Sequence, residues 1–169
     1  NIFFNDNREE QIAFRMDQLR LEMKGNITDR IYYRYRQRLN RNNNPQALDN
    51  LPASIDYAAV GFHIHDKLSV LAGKQCTAFG GFEFDLNPIE VYQYCDMLEY
   101  MSNFLTGIDF SYYFARQHEF RFQIVDSRNG SFKDFYGQVP ENVKRSKAPL
   151  GYTLNWNGNL LNNKLKTRW

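Results

Sequence analysis

Side-chain polarity alternates with period two along most of this chain. That pattern folds into strands whose two faces meet different surroundings. From Leu19, the residues Leu19, Leu21 and Met23 are apolar, with Arg20, Glu22 and Lys24 between them. Ile31, Tyr33, Tyr35 and Leu39 share one face of a second segment, and Arg30, Tyr32, Arg34, Arg36 and Arg38 share the other. Ala58, Val60, Phe62 and Ile64 alternate with Ala59, Gly61, His63 and His65, and Leu68, Val70 and Ala72 with Ser69, Leu71 and Gly73. The same rhythm sets Phe104, Ile108, Phe110, Tyr112 and Phe114 against Gly107, Asp109, Ser111 and Tyr113. It then sets Phe120, Phe122 and Ile124 against Glu119, Arg121 and Gln123, and Leu150, Tyr152, Leu154 and Trp156 against Gly151, Thr153, Asn155 and Asn157. Leu165 and Trp169 against Lys164, Lys166 and Arg168 close the series, for about eight strands. Upstream, Ile12, Phe14 and Met16 run in the opposite phase, which a bulge near Asp17 and Gln18 would reconcile.

The connections alternate short and long. Short turns are expected at Gly25–Asp29, His65–Lys67, Ala115–His118 and Gly158–Asn163, and long ones at Arg41–Ala53, Cys76–Asn103 and Arg128–Lys147. A transmembrane β-barrel has short turns on one side of the membrane and longer loops on the other, whereas a soluble meander has no reason to sort its loops this way. Pro52, Pro88, Pro140 and Pro149 lie in or beside the long loops, away from the strand ladders.

Face chemistry separates a membrane barrel from a soluble one. One face is apolar and almost free of charge, while the other carries so many arginines that a dry core would hold unpaired buried charge. The polar face therefore lines water, and the apolar face, rich in the chain's 14 Phe and 11 Tyr, meets lipid. The mean hydropathy of −0.63, with no long apolar run, excludes a helical membrane protein but not a barrel. The fold class expected is all-β, an antiparallel up-and-down transmembrane barrel. A formal net charge of +2 offers no argument for nucleic acid. No grouping of nucleophile, base and orienting residue emerges, so an enzyme is not expected, and neither a cofactor nor a metal is implied. His63 and His65 alternate on one strand but lack a third ligand, and with His118 they read as residues beside short turns.

This topology orders the remaining pieces. Residues Asn1–Glu9 are expected to be the tail of an outer loop, with a strand missing before them. The chain would then be a single partial barrel domain that lacks sequence on both sides. The Cys76–Asn103 segment is expected to fold inward as a constriction, carrying Glu83, Asp85, Glu90, Asp96 and Glu99 and no lysine or arginine. The small inward residues Ala59, Gly61, Ser69, Gly73, Gly107 and Ser111 would leave room for it. Cys76 and Cys95, near its ends, allow either a disulfide that pins it or two buried thiols.

The sharpest feature is the row Arg34, Arg36 and Arg38. Pairing through the Gly25–Asp29 turn would set Arg20 roughly opposite Arg34 and Lys24 near Arg30, a cluster that needs water, an anion or nearby carboxylates. The functional reading is a pore-wall anion path of Arg20, Lys24, Arg34, Arg36, Arg38, Arg121, Lys166 and Arg168. The plainer one is a solvated face neutralised by Glu22 and loop acids.

The stretches KGNITDRIYYRYRQRLN (Lys24–Asn40), AGKQCTAFGGFEFDLNPIE (Ala72–Glu90) and SKAPLGYTLNWNG (Ser146–Gly158), with the closing KTRW, resemble the phosphate-selective porin O and P family from about Gln11 onward. The resemblance implies a porin of 16 strands, of which this chain is about half, in the bacterial outer membrane. It further implies a homotrimer that passes small anions or polar solutes such as phosphate. The chain departs from the family's pattern in its inward loop, where lysines are expected and acids stand. An acidic loop facing a basic wall would give a transverse field and broad permeability rather than a strict anion filter. The alternative is a barrel plugged by that loop, acting as a binding or assembly partner for an outer-membrane lipoprotein.

Overall fold

A computed structural model describes residues 14, 16, 18–43, 48–83, 86, 90–96, 98, 101–133, 137–138, 140–144 and 146–169. The segment before 14 and the bulge expected near Asp17 and Gln18 fall largely outside them. Eight strands follow in order: β1 (Arg20–Asn26), β2 (Ile31–Arg38), β3 (Ile55–His65), β4 (Leu68–Cys76), β5 (Phe104–Ala115), β6 (His118–Asp126), β7 (Leu150–Leu160) and β8 (Leu165–Arg168). Each pairs antiparallel with the next in one open sheet whose edges are β1 and β8. Short and long connections alternate along it, as the polarity pattern and turn residues indicate. Among the described residues no helix is long and apolar enough to cross a membrane.

The apolar rows are the bare ones. Leu154 is 73% exposed, Ile64 56% and Phe122 40%, with Leu21, Met23, Val60, Phe110 and Phe120 alike on the surface. One residue from Phe122, Gln123 is fully buried, and Gln75, Asp109 and Asn155 are buried with it on the polar face. A sheet that hides its amides and shows its phenylalanines is inverted relative to a soluble protein, and hydrocarbon is the surroundings that stabilise it. At the short-turn end, Phe114 stacks on Phe120 at 4.8 Å and on His118 at 5.4 Å, and His118 stacks on Trp156 at 5.9 Å. The Trp156 indole N–H donates to His118 Nδ1 at 3.3 Å, so the histidine joins the aromatic cluster.

The β1–β2 register corrects the expected one. Arg20 lies opposite Arg38, Glu22 opposite Arg36 and Lys24 opposite Arg34. The turn is formed by Ile27–Arg30 and closed by the Thr28 hydroxyl, which accepts from the Arg30 and Ile31 N–H groups at 3.2 and 3.1 Å. Gly25 stays in the strand. A Cβ there would lie 3.3 Å from the ring of Tyr33, its cross-strand partner, so the glycine makes room for an aromatic rather than a turn.

Three of the small residues of the polar face, Gly61, Gly73 and Gly107, also behave differently from expectation. A Cβ on Gly61 would fall 2.0 Å from the Tyr32 ring, and one on Gly107 would strike Ile124 O and Val125. Gly73, at φ 121°, approaches the Ala58 carbonyl. These glycines admit a cross-strand ring or a close neighbouring backbone, and they leave no hollow for a loop.

At the long-loop end a piece of chain covers the apolar side. Lys74 continues the row of Val70 and Ala72, opposite Ala58 and Thr106. Its ammonium meets Asp49 Oδ2 at 3.1 Å, both side chains being nearly inaccessible. The Thr106 hydroxyl donates to the same oxygen at 2.7 Å and the Leu51 N–H to Oδ1 at 3.0 Å, while the Leu48 N–H reaches Asn129 O. Burial alone would raise the Asp49 carboxyl, but the Thr106 and Leu51 hydrogen bonds and Lys74 hold it below the ordinary carboxylate value. Asp49 therefore stabilises this strap at neutral pH, and the contribution is lost only as pH falls through that depressed value.

Candidate solute pathway on the polar face

Three strands build a basic wall. Cross-strand pairing puts Arg20 beside Arg38, and Lys24 beside Arg34. Like charges so placed repel unless something compensates them. Here the compensation comes from within the sheet. Arg34 Nε donates to Glu22 at 2.8 Å. The β2–β3 register shifts between Arg36 and Gln37, which leaves Asp56 out of the ladder between Ile55 and Tyr57. Its buried carboxylate accepts from Arg36 Nε at 3.1 Å and Arg38 Nε at 3.0 Å. Arg34 and Arg36 lie over the Tyr57 ring at 3.8 and 4.7 Å, and Arg36 and Arg38 over Phe104 at 5.2 and 5.8 Å. Such stacking holds each guanidinium flat and leaves its edges for hydrogen bonding. Arg20 Nε is buried with no hydrogen-bond partner among the described residues.

Across the face, Arg121 binds Asp109 through Nε at 3.1 Å and through a terminal nitrogen. Arg168, opposite Asn157, and Lys166, opposite Asn159, lie on β8. The Arg168 guanidinium is 5.1 Å from the Phe82 ring.

After Cys76 the chain leaves the long-loop end of β4 and crosses this polar surface. The Gln123 amide bridges to it: Oε1 accepts from the Ala78 N–H at 2.6 Å and Nε2 donates to the Cys76 carbonyl at 3.1 Å. Gly80 comes close to Asn155 and Trp169. Between the crossing segment and the wall lies a cavity of about 220 Å³, lined by Arg34, Arg121 and Arg168, by Tyr57, Leu71, Gln75, Asn155 and Asn157, and by Cys76–Gly81. Its chemistry is cationic and amide-rich, able to hold small anions or polar solutes.

The other expected site residues fall as follows. Lys24 is exposed on the edge strand. Glu83 accepts from the Cys95 N–H at 3.2 Å, which uses it within its own loop. Glu90 and Asp96 are exposed, and Asp85 and Glu99 lie outside the described residues. Among the described residues, the carboxylates that meet Arg34, Arg36, Arg38 and Arg121 are Glu22, Asp56 and Asp109, all on strands rather than in the loop. Arg36 packs between Asp56 and two rings, its side chain 11% exposed. Cys76 and Cys95 are free thiols: the half-buried Cys76 Sγ turns to Thr77 O at 3.6 Å, and Cys95 is exposed. Among the described residues no group of His, Cys, Asp or Glu could hold a metal ion. His63 instead stacks on Tyr32 at 4.9 Å and meets Ser69 Oγ at 2.9 Å.

Sequence reasoning missed Asp56, Asp109 and Gln123. Asp109 was within reach, because correct β5–β6 pairing sets it diagonally from Arg121. Asp56 depends on a bulge, and Gln123 on a segment remote in sequence, so neither carries a local signal.

A family model described as phosphate-selective porin O and P matches residues 2–169. No curated protein and no solved structure matches the chain.

Proposed function

The chain belongs to the phosphate-selective porin O and P family, and from that premise we propose that its polar face lines a water-filled diffusion channel for small anionic and polar solutes, phosphate among them. The eight-stranded sheet is a section of the porin barrel, its bare apolar rows turned to the lipid of a bacterial outer membrane. The observation that carries the reading is the cavity between the wall and the crossing segment, where Arg34, Arg121 and Arg168 converge among amides. Anions entering there exchange hydration water for guanidinium edges held flat by Tyr57, and weak, shared contacts let them leave again. Arg20, Arg36 and Arg38 extend the basic surface toward the long-loop end, with Lys24, Lys166 and the pair Arg121–Asp109 along the rest. The segment from Cys76 is the constriction, and Glu83, Glu90 and Asp96 in it temper the anion preference. A homotrimer in the bilayer completes the proposal, resting on the family resemblance.

The test is the reversal potential of the reconstituted full-length protein in a salt gradient, first in potassium chloride and then in potassium phosphate. A potential of the sign set by faster anions, in both salts, is the expected result. Absence of any conductance would sink the channel and favour a plugged barrel that docks a lipoprotein.

A further inference from the structure

We infer that Gln123 is the positioning residue that fixes the width of the passage, by clamping the crossing segment to the wall. Polar side chains on a water-lined wall are ordinarily solvated, yet Gln123 is fully buried. Both ends of its amide are spent on backbone: Oε1 takes the Ala78 N–H at 2.6 Å, and Nε2 gives a hydrogen bond to the Cys76 carbonyl at 3.1 Å. A donor and an acceptor two residues apart on one chain, met by a side chain that offers both, reproduce the pairing of a strand neighbour. Thr153 Oγ1 steadies the amide from β7 by donating to Oε1 at 3.2 Å. Gln75 braces the departure point on β4, its Nε2 reaching Leu71 O and Gly107 O at 3.3 and 3.4 Å. Without Gln123, the Ala78 N–H and Cys76 C=O would need water, which they obtain only if the segment lifts from the wall.

A carboxamide is suited to this task because it is neutral. A lysine or arginine could serve only the carbonyl, an aspartate or glutamate only the N–H, and each would bury a charge under the segment. The clamp therefore sets aperture and leaves the charge of the passage alone. It rests on the reading that the crossing segment narrows a conducting channel.

Single-channel recording of the full-length protein in planar bilayers tests the clamp. Gln123→Leu keeps the bulk of the side chain and removes both hydrogen bonds. It is expected to raise unit conductance roughly twofold and to add flicker, since the narrowest zone dominates resistance. The reversal potential should move little. Gln123→Glu supplies a second readout. Its protonated carboxyl can accept from Ala78 and donate to Cys76 as the amide does, whereas the carboxylate cannot donate. Its conductance, taken relative to the unsubstituted protein at the same pH, should match it in acid and rise toward the Leu level at higher pH. If Gln123→Leu fails to insert, the pH profile of Gln123→Glu decides. A conducting parent protein with Leu conductance unchanged, or with a flat Glu profile, overturns the clamp and leaves the channel standing. A parent protein that does not conduct overturns the channel itself.

Discussion

The two halves of the polar face solve different problems. On β1–β3, Arg20, Arg36 and Arg38 lie near the single carboxylate of Asp56, and Glu22 binds Arg34 while Lys24 stands exposed across from it, so positive charge is in excess. On β5–β7, Arg121 is matched by Asp109, Glu119 is bound by Asn157 toward the short turn, and the surface beside them is amide and hydroxyl: Gln123, Thr153 and Asn155. This half, which carries no surplus of positive charge, is the one on which the crossing segment lies. A surface that receives a backbone must meet its N–H and C=O groups one by one, and surplus charge beneath it would be buried without a partner. A wall left to water can carry that surplus. Charge is thus concentrated where solvent or solute compensates it, and is cancelled where chain does.

Three variants bear on this contrast. The largest effect is expected at Asp56→Ala, which strips the shared carboxylate from Arg36 and Arg38 at a nearly inaccessible position. The loss should be about 3 kcal/mol, the cost of breaking a buried pair, read from the urea midpoint of the folded protein in detergent. An unchanged midpoint would mean that water already serves those arginines. Next, replacing Arg20 and Arg38 together by Gln should lower the anion-to-cation permeability ratio roughly twofold with the barrel intact. Reversal potentials indistinguishable from the parent's would move the conducting path away from β1–β3. Smallest is the joint change of Arg121 to Gln and Asp109 to Asn, which removes a balanced pair and should leave the ratio where it was. A shift as large as that of the double arginine change would erase the difference between the halves.

Most of the fold could be read from the residues because its determinants are local. Polarity alternates within each strand, and turn residues punctuate it, so the eight strands and their bare and covered faces follow directly. What escaped depends on distant partners. Gly25 reads as a turn residue until Tyr33 is known to lie across from it. Lys74 looks like an intruder in an apolar row until Asp49 is brought over it by a loop. The wall arginines were legible as a row. Of their neutralisers Glu22 was legible too, but Asp56 needs a bulge and Asp109 a register, and the loop acids were more visible than either.

The strap at Asp49 has a consequence for how the protein floats. It closes the bare surface at the level of Lys74 and Thr106, and the cluster of Phe114, His118 and Trp156 marks the opposite limit. On β5 the stretch from Thr106 to Phe114, at about 3.3 Å per residue and a tilt of about 40°, rises about 20 Å along the membrane normal. A hull with so short a draught matches a thin hydrocarbon layer, such as that of the bacterial outer membrane, and would force a thicker bilayer to pucker around it. The buried lysine–aspartate pair is in that sense a waterline: it settles how deep the barrel sits, and so where along the bilayer normal the proposed narrow zone lies.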